Sequence, residues 1–140
     1  MTGYLDASSW LRAVLRDGPL LPEWADLTIT FSSEIVLVEV HRVVDRLRLT
    51  GALSPRELAE ARAQLDELER SVNIVPIDED IIELARSPLP TPLRALDSIH
   101  VATALILRDD VGLRFVFATH DRQQATAARA LGFEVVGVEF

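Results

Sequence analysis

Apolar residues recur with two different periods along the chain, and the alternation between them predicts the elements. Tyr4-Leu5 opens as a short strand ending at Asp6, after which Ser8 is placed to cap a helix carrying Trp10, Leu11, Val14 and Leu15 at helical spacing. Leu27 to Phe31 alternates as a second strand, with Ser32 or Ser33 as the next N-cap and Glu34 in the first turn. The following segment is valine-rich and would suggest strand by propensity, yet Val36, Leu37, Val40, Val43, Val44 and Leu47 form a stripe that only a helix makes continuous. Glu39, Arg42 and Arg46 lie off that stripe. Ser54-Pro55-Arg56-Glu57 is a capping box with proline at the first helical position, predicting a helix to about Arg70. Val72 to Ile77 suits an edge strand, where Pro76 is tolerated, and Asp78 caps a helix through Arg86. Pro88, Pro90 and Pro92 mark a loop. Leu93 to Leu107 then predicts a largely buried helix, Arg114 to Thr119 a core strand, Asp121 to Leu131 a helix stopped by Gly132, and Phe133 to Val138 a closing strand. Strands alternating with helices predict an α/β fold, a parallel sheet covered by helices on both faces, in a single domain spanning residues 1–140.

Composition narrows the chemistry. The 140 residues are 49% hydrophobic, enough to bury a core without cross-links, and contain no cysteine, which removes disulfides, thiolate metal sites and a cysteine nucleophile together. The N-terminus lacks a basic region leading into an apolar run and no stretch is long enough to span a bilayer, so a soluble, unprocessed, cytoplasmic protein with no membrane partner is expected. A net charge of −8 argues at first against nucleic acid. Its distribution weakens the objection: residues 57 to 83 hold nine acids against Arg62 and Arg70, a local −7 that leaves −1 for everything else. All 14 cationic residues are arginine, whose planar fork suits phosphate, although a GC-rich genome would give the same bias.

Two acids stand where open parallel sheets bind ligands, beyond the carboxyl ends of strands: Asp6 after the first and Asp121 just after Val116-Phe117-Ala118-Thr119. Asp97 interrupts an otherwise apolar helix, where a buried carboxylate needs a partner or a cation. Glu39 sits beside the valine stripe. Singly, an Asp after a strand is more often a helix cap and a Glu on a helix is more often solvated. Together they point to one place, and two unit charges about 4 Å apart repel by roughly 4 kcal/mol at an effective dielectric near 20, so such a cluster calls for a divalent ion. Oxygen ligands without thiolate or paired histidines favour Mg²⁺ or Mn²⁺ over zinc. Such ions suit hydrolysis of a phosphodiester.

These motifs resemble those of the PIN domains and, among them, the VapC-type toxins. Tyr4-Leu5-Asp6-Ala7-Ser8 is similar to the family's opening strand with its first acid, and Glu39-Val40-His41-Arg42 to its second acid in a Glu-x-x-Arg helix. The stretch from Arg94 to Ala104, which contains Asp97, is similar to the third and most specific motif, and Thr119-His120-Asp121 to the fourth. The resemblance implies a three-layer α/β/α PIN-like fold, Mg²⁺ or Mn²⁺ held by Asp6, Glu39, Asp97 and Asp121, and endonucleolytic cleavage of RNA, often tRNA or ribosomal RNA. It also implies a homodimer and a cognate VapB-like antitoxin that sends a basic side chain toward the acids. Glu39 is implied as ligand or as positioner of the attacking water. Ser8 and Thr119 are candidates to hold waters or a carboxylate, with helix cap and strand-end hydroxyl as the structural alternatives. Arg42 and Arg94 either bind RNA or neutralise neighbouring acids. His100 either pairs with Asp97 or is structural, and His120 either touches phosphate or is an exposed loop residue. The prolines at 88 to 92 depart from the family pattern just before Arg94.

Other aspartate-centred α/β families fit poorly. A receiver-type phosphoacceptor needs a lysine, which this chain lacks, and a haloacid-dehalogenase-type hydrolase needs Asp-x-Asp where Ser8 stands. The alternative from another class is a catalytically inactive PIN-fold binding or scaffold module, with Trp10, Trp24 and the apolar helices serving a partner and the acidic 57 to 83 region a docking site for a basic protein.

Overall fold

Helix starts leave backbone N–H groups without intrahelical acceptors, and in this chain a short side chain accepts from one such group at four of the α-helices. A computed structural model describes residues 1–139. Asp6 caps α1 (Ala7–Leu15), Ser54 caps α3 (Pro55–Ser71) with both halves of the capping box formed, Asp78 caps α4 (Glu79–Ala85) and Asp121 caps α6 (Arg122–Ala130). The two helices lacking such a cap, α2 (Ile35–Leu49) and α5 (Ala95–Asp109), are both rich in buried apolar residues. Tertiary burial rather than local capping holds these.

Five strands, β1 (Thr2–Leu5), β2 (Ile29–Ser33), β3 (Asn73–Val75), β4 (Val116–Ala118) and β5 (Val135–Val136), pair in parallel in the order β3-β2-β1-β4-β5. Successive residues of β1 face opposite sides. Leu5 joins a core with Trp10 and Val14 of α1, Val36, Val40 and Val44 of α2, and Ala61 and Leu65 of α3. Tyr4 joins a second core with Val101, Ala104 and Leu105 of α5 and Ala127 and Ala128 of α6, against which Leu84 of α4 packs. The fold is therefore three-layered, α/β/α, as the sequence predicts. The chain moves outward from β1 through β2 to β3, then crosses to β4 on the other side of β1. That reversal opens a crevice between the carboxyl ends of β1 and β4, the place where doubly wound sheets bind ligands.

Some expectations are corrected. Ser8 lies inside α1, and Asp6 is the cap, accepting from Ser9 N–H. Ser32 and Ser33 belong to β2 and are buried; the N-cap position of α2 is Glu34, whose side chain accepts from Ile77 N–H at 2.6 Å, while Ser33 Oγ accepts from Ile35 N–H at 3.3 Å from one position earlier. The last two strands are shorter than their apolar runs because register pairs only Gly3 to Leu5 with Val116 to Ala118, and Phe117 and Ala118 with Val135 and Val136. The edge strand β3 and the helices α3 and α4 form where predicted.

Candidate active site

Asp6 sits at the mouth of the crevice and is buried, 4% exposed. Its Oδ1 accepts from Ser8 Oγ at 2.7 Å and Ser9 N at 3.1 Å, and its Oδ2 accepts from Thr119 Oγ1 at 2.5 Å. Each hydroxyl has one proton, and both protons go to Asp6. The hydroxyl oxygens then accept backbone N–H groups from the next loop: His120 N donates to Ser8 Oγ at 2.8 Å and Asp121 N to Thr119 Oγ1 at 3.0 Å. Ser9 Oγ donates to Ala118 O at 2.8 Å, completing a seam between α1 and the end of β4. Burial pushes the Asp6 carboxyl above its ordinary value, opposed by His100 and by the two hydroxyls. Ser8 and Thr119 thus both donate to the Asp6 carboxylate.

Asp97 and Asp121 face each other from α5 and the start of α6. Burial raises the Asp97 carboxyl, and the charge of Asp121 raises it further, against the opposing pull of Arg94. Arg94 reaches both acids, with Nε 3.4 Å from Asp97 Oδ2 and Nη2 4.0 Å from Asp121 Oδ2. Its own side chain is 77% exposed, so the pairing is loose and screened. Gln124, fully buried on α6, donates from Nε2 to Asp97 O at 3.3 Å and receives the Asp121 cap on its backbone N–H at 2.9 Å. Sequence inspection missed Gln124. A glutamine three residues after an N-cap is the signal that was available.

Glu39 projects from α2 toward α5, its side chain 14% exposed. Its Oε1 lies 2.6 Å from His100 Nε2, and His100 Nδ1 lies 2.7 Å from the Tyr4 hydroxyl. His100 therefore pairs with Glu39 and Tyr4 and not with Asp97, although it stands one turn beyond the latter. Tyr4, read from the sequence only as part of the opening strand, is a second site residue that was missed; its place two positions before Asp6 on the same strand face was the available sign.

The remaining candidates separate. Arg42 pairs with Asp45 at 3.4 Å on an exposed face of α2. His120 Nδ1 lies 3.1 Å from Gly137 O, and burial, joined by the charge of Arg12, lowers its pKa from the ordinary value. Trp10 is fully buried and cannot serve a partner, while Trp24 packs partly buried against the core. Among the described residues, no three acidic or histidine side chains stand close enough to hold an ion as they lie. The donors suit a hard cation in kind: all are carboxylates, two repel each other, and an arginine already bridges that pair.

The family model for the PIN domain matches residues 3–130. Ribonuclease VapC47 of Mycobacterium tuberculosis is 33% identical over 102 residues, covering 73% of this chain and 66% of that protein, just under two thirds of its length. Ribonuclease VapC46 of the same organism is 32% identical over 97 residues, covering 64% of this chain and 72% of that protein. Among solved structures, a chain of VapBC2 from Rickettsia felis, crystallised with a promoter DNA fragment, superposes with a TM-score of 0.66 at 13% identity, covering 96% of this chain and 97% of that one. The Mycobacterium tuberculosis VapC20 structure, described as a sarcin-ricin loop cleaving toxin, gives a TM-score of 0.58 at 17% identity over 97% of this chain and 98% of that one. With a match to the family model running from β1 to the end of α6, over the same α/β/α layers and with VapC proteins among its relatives, the chain belongs to the PIN domain family.

Proposed function

We propose that the chain is a metal-dependent endoribonuclease and the toxin of a toxin and antitoxin pair. The observation that supports this is the pairing of Asp97 with Asp121 just beyond β4, where the Asp97 carboxyl is raised by burial and by the charge of Asp121 while the mostly exposed Arg94 reaches both, with Asp6 held at the adjoining end of β1 by Thr119. A site built for stability alone would not concentrate like charge there. Asp6, Glu39, Asp97 and Asp121 are the residues that would hold Mg²⁺ or Mn²⁺. When bound, such a cation neutralises the phosphodiester, lowers the pKa of an attacking water and stabilises the departing oxygen. The protein's part is orientation: Ser8, Ser9 and Thr119 fix Asp6, and Gln124 ties the start of α5 to α6.

RNA is the substrate that the relatives' ribonuclease names support, and the cleavage of the sarcin-ricin loop attributed to VapC20 makes structured RNA such as tRNA or ribosomal RNA the class to test first. The VapBC structures support a VapB-like antitoxin as the cognate partner. A negatively charged crevice suits a basic side chain delivered by such a partner. A homodimer is the expected assembly and the cytoplasm the expected location; no helix among the described residues is long and apolar enough to cross a membrane.

The test is cleavage of total RNA by the purified chain with Mg²⁺ or Mn²⁺, against EDTA and against Asp6→Asn and Asp97→Asn. Cutting that needs the metal and both carboxylates supports the proposal. Full activity in EDTA rejects the metal, and absence of cutting at any metal concentration favours the inactive binding module. Co-expression with the product of the neighbouring small open reading frame tests the antitoxin, which should bind and restore growth.

A further inference from the structure

One buried polar chain lies behind the crevice and is not used by the chemistry above. Tyr4 is fully buried, its ring stacked on Phe117 at 5.1 Å and edge-on to His100 at 5.9 Å. Its hydroxyl oxygen accepts from Ser33 N–H at 3.2 Å, so the carboxyl end of β2 fixes the phenol from one side. On the other side it meets His100 Nδ1 at 2.7 Å, and the far nitrogen of that ring meets Glu39 Oε1 at 2.6 Å.

The direction of the last bond is fixed. A carboxylate has only lone pairs to offer, so Nε2 bears the proton and donates whether the ring is neutral or charged. His100 is 1% exposed, its ring held between Tyr4 and Glu39, and so it has no solvent alternative for either nitrogen. Glu39 has three side-chain torsions and sits on a helix whose neighbouring Val38 is 58% exposed; without this bond it would be free to turn outward. With it, the carboxylate is aimed inward from a scaffold made of β1, β2 and α5.

We propose that Tyr4 and His100 are positioning residues that fix Glu39 for its part in the active site, through the chain from Ser33 N–H to the Tyr4 hydroxyl, the His100 ring and the Glu39 carboxylate. This rests on the metal-dependent reading of the site. A ligand or water-positioning carboxylate that is already oriented loses less freedom when it engages, and partners behind first ligands commonly set affinity.

The experiment compares wild type with Tyr4→Phe, His100→Leu and His100→Gln, the last keeping an N–H donor near the position of Nε2. Mn²⁺ binding is read by the loss of free-ion EPR signal, turnover by cleavage of a labelled RNA, and folding by thermal melts. His100→Leu should weaken Mn²⁺ binding about tenfold or more and lower kcat, Tyr4→Phe should do the same more mildly, and His100→Gln should restore most of the loss. If His100→Leu fails to fold, Tyr4→Phe, which keeps the ring stack, decides the matter. A folded Tyr4→Phe or His100→Leu with wild-type Mn²⁺ affinity and kcat overturns the proposal, as does a His100→Gln no better than the leucine variant. Those outcomes with an active, metal-binding wild type leave the ribonuclease reading standing; a wild type that neither binds Mn²⁺ nor cuts RNA overturns both.

Discussion

Thr119 Oγ1 donates to Asp6 Oδ2 at 2.5 Å, joining the end of β4 to the end of β1 across the point where the sheet reverses direction. The same oxygen accepts Asp121 N–H at 3.0 Å, so one hydroxyl orients one candidate ligand and the backbone of another. Thr119→Val keeps the shape and deletes both bonds, leaving a buried carboxylate oxygen and a backbone N–H short of partners. The expected cost is about 1–3 kcal/mol in urea unfolding, with cleavage down about tenfold or more. Thr119→Ser keeps the hydroxyl and should lie near wild type in both.

Arg94 forms ion pairs with both Asp97 and Asp121, and it is mostly solvent-exposed. If an ion binds there, the guanidinium competes with it. Arg94→Ala should therefore tighten Mn²⁺ binding by roughly twofold to fivefold, a modest gain because exposed pairs are screened. Calorimetric titration of Mn²⁺ into both proteins checks this; weaker binding in the variant would show that Arg94 supports the site.

Asp97 has a raised pKa in the fold, from burial first and Asp121 second. An acid that is harder to ionise when folded holds its proton to higher pH than it does in the unfolded chain. The metal-free protein consequently loses stability as pH rises from the ordinary carboxylate range through the raised folded value, and the full deficit is present at neutral pH. Asp97→Asn removes the charge and should melt higher than wild type at pH 7 in EDTA, while cleavage is abolished. The gap between the two should close as pH falls below the ordinary carboxylate range, and an Asn variant that melts lower at pH 7 would contradict the assigned cause.

What was legible in the sequence divides along physical lines. Elements set by local chemistry were read closely: the Ser54 capping box, the Asp78 cap, the break at Gly132, and α2 despite its valines, because period outweighs propensity once one face is buried. Strand ends were not, since β4 and β5 stop where a partner stops, and a partner's register is not encoded nearby. Ser8 looked like a cap because hydroxyls favour that position, yet Asp6 took it, and Ser8 was freed to bridge Asp6 and His120. The four acids could be nominated by motif and by strand-end position. That His100 turns to Glu39 and that Gln124 braces Asp97 depend on how α2, α5 and α6 pack, which no spacing along the chain reveals.

Gly137 lies against Thr119 and His120 without belonging to the site. Its φ of +102° is a conformation that favours glycine, and a Cβ there would stand 2.3 Å from Thr119 O. The obstacle is backbone, so it cannot swing aside as a side chain would. Gly137 O also meets His120 Nδ1 at 3.1 Å, and Thr119 N donates to Val136 O at 3.1 Å, so the strain of an added methyl falls on the loop that carries Asp121. Gly137→Ala should destabilise by about 2 kcal/mol or more and reduce cleavage beyond what the unfolded fraction explains. Gly51 is the control: its φ is +72° with nothing within 4 Å of an added Cβ, so Gly51→Ala should cost only about 1 kcal/mol of backbone strain and leave cleavage of the folded protein unchanged. Equal activity losses in the two variants would mean that Gly137 acts through global stability and not through the position of Thr119.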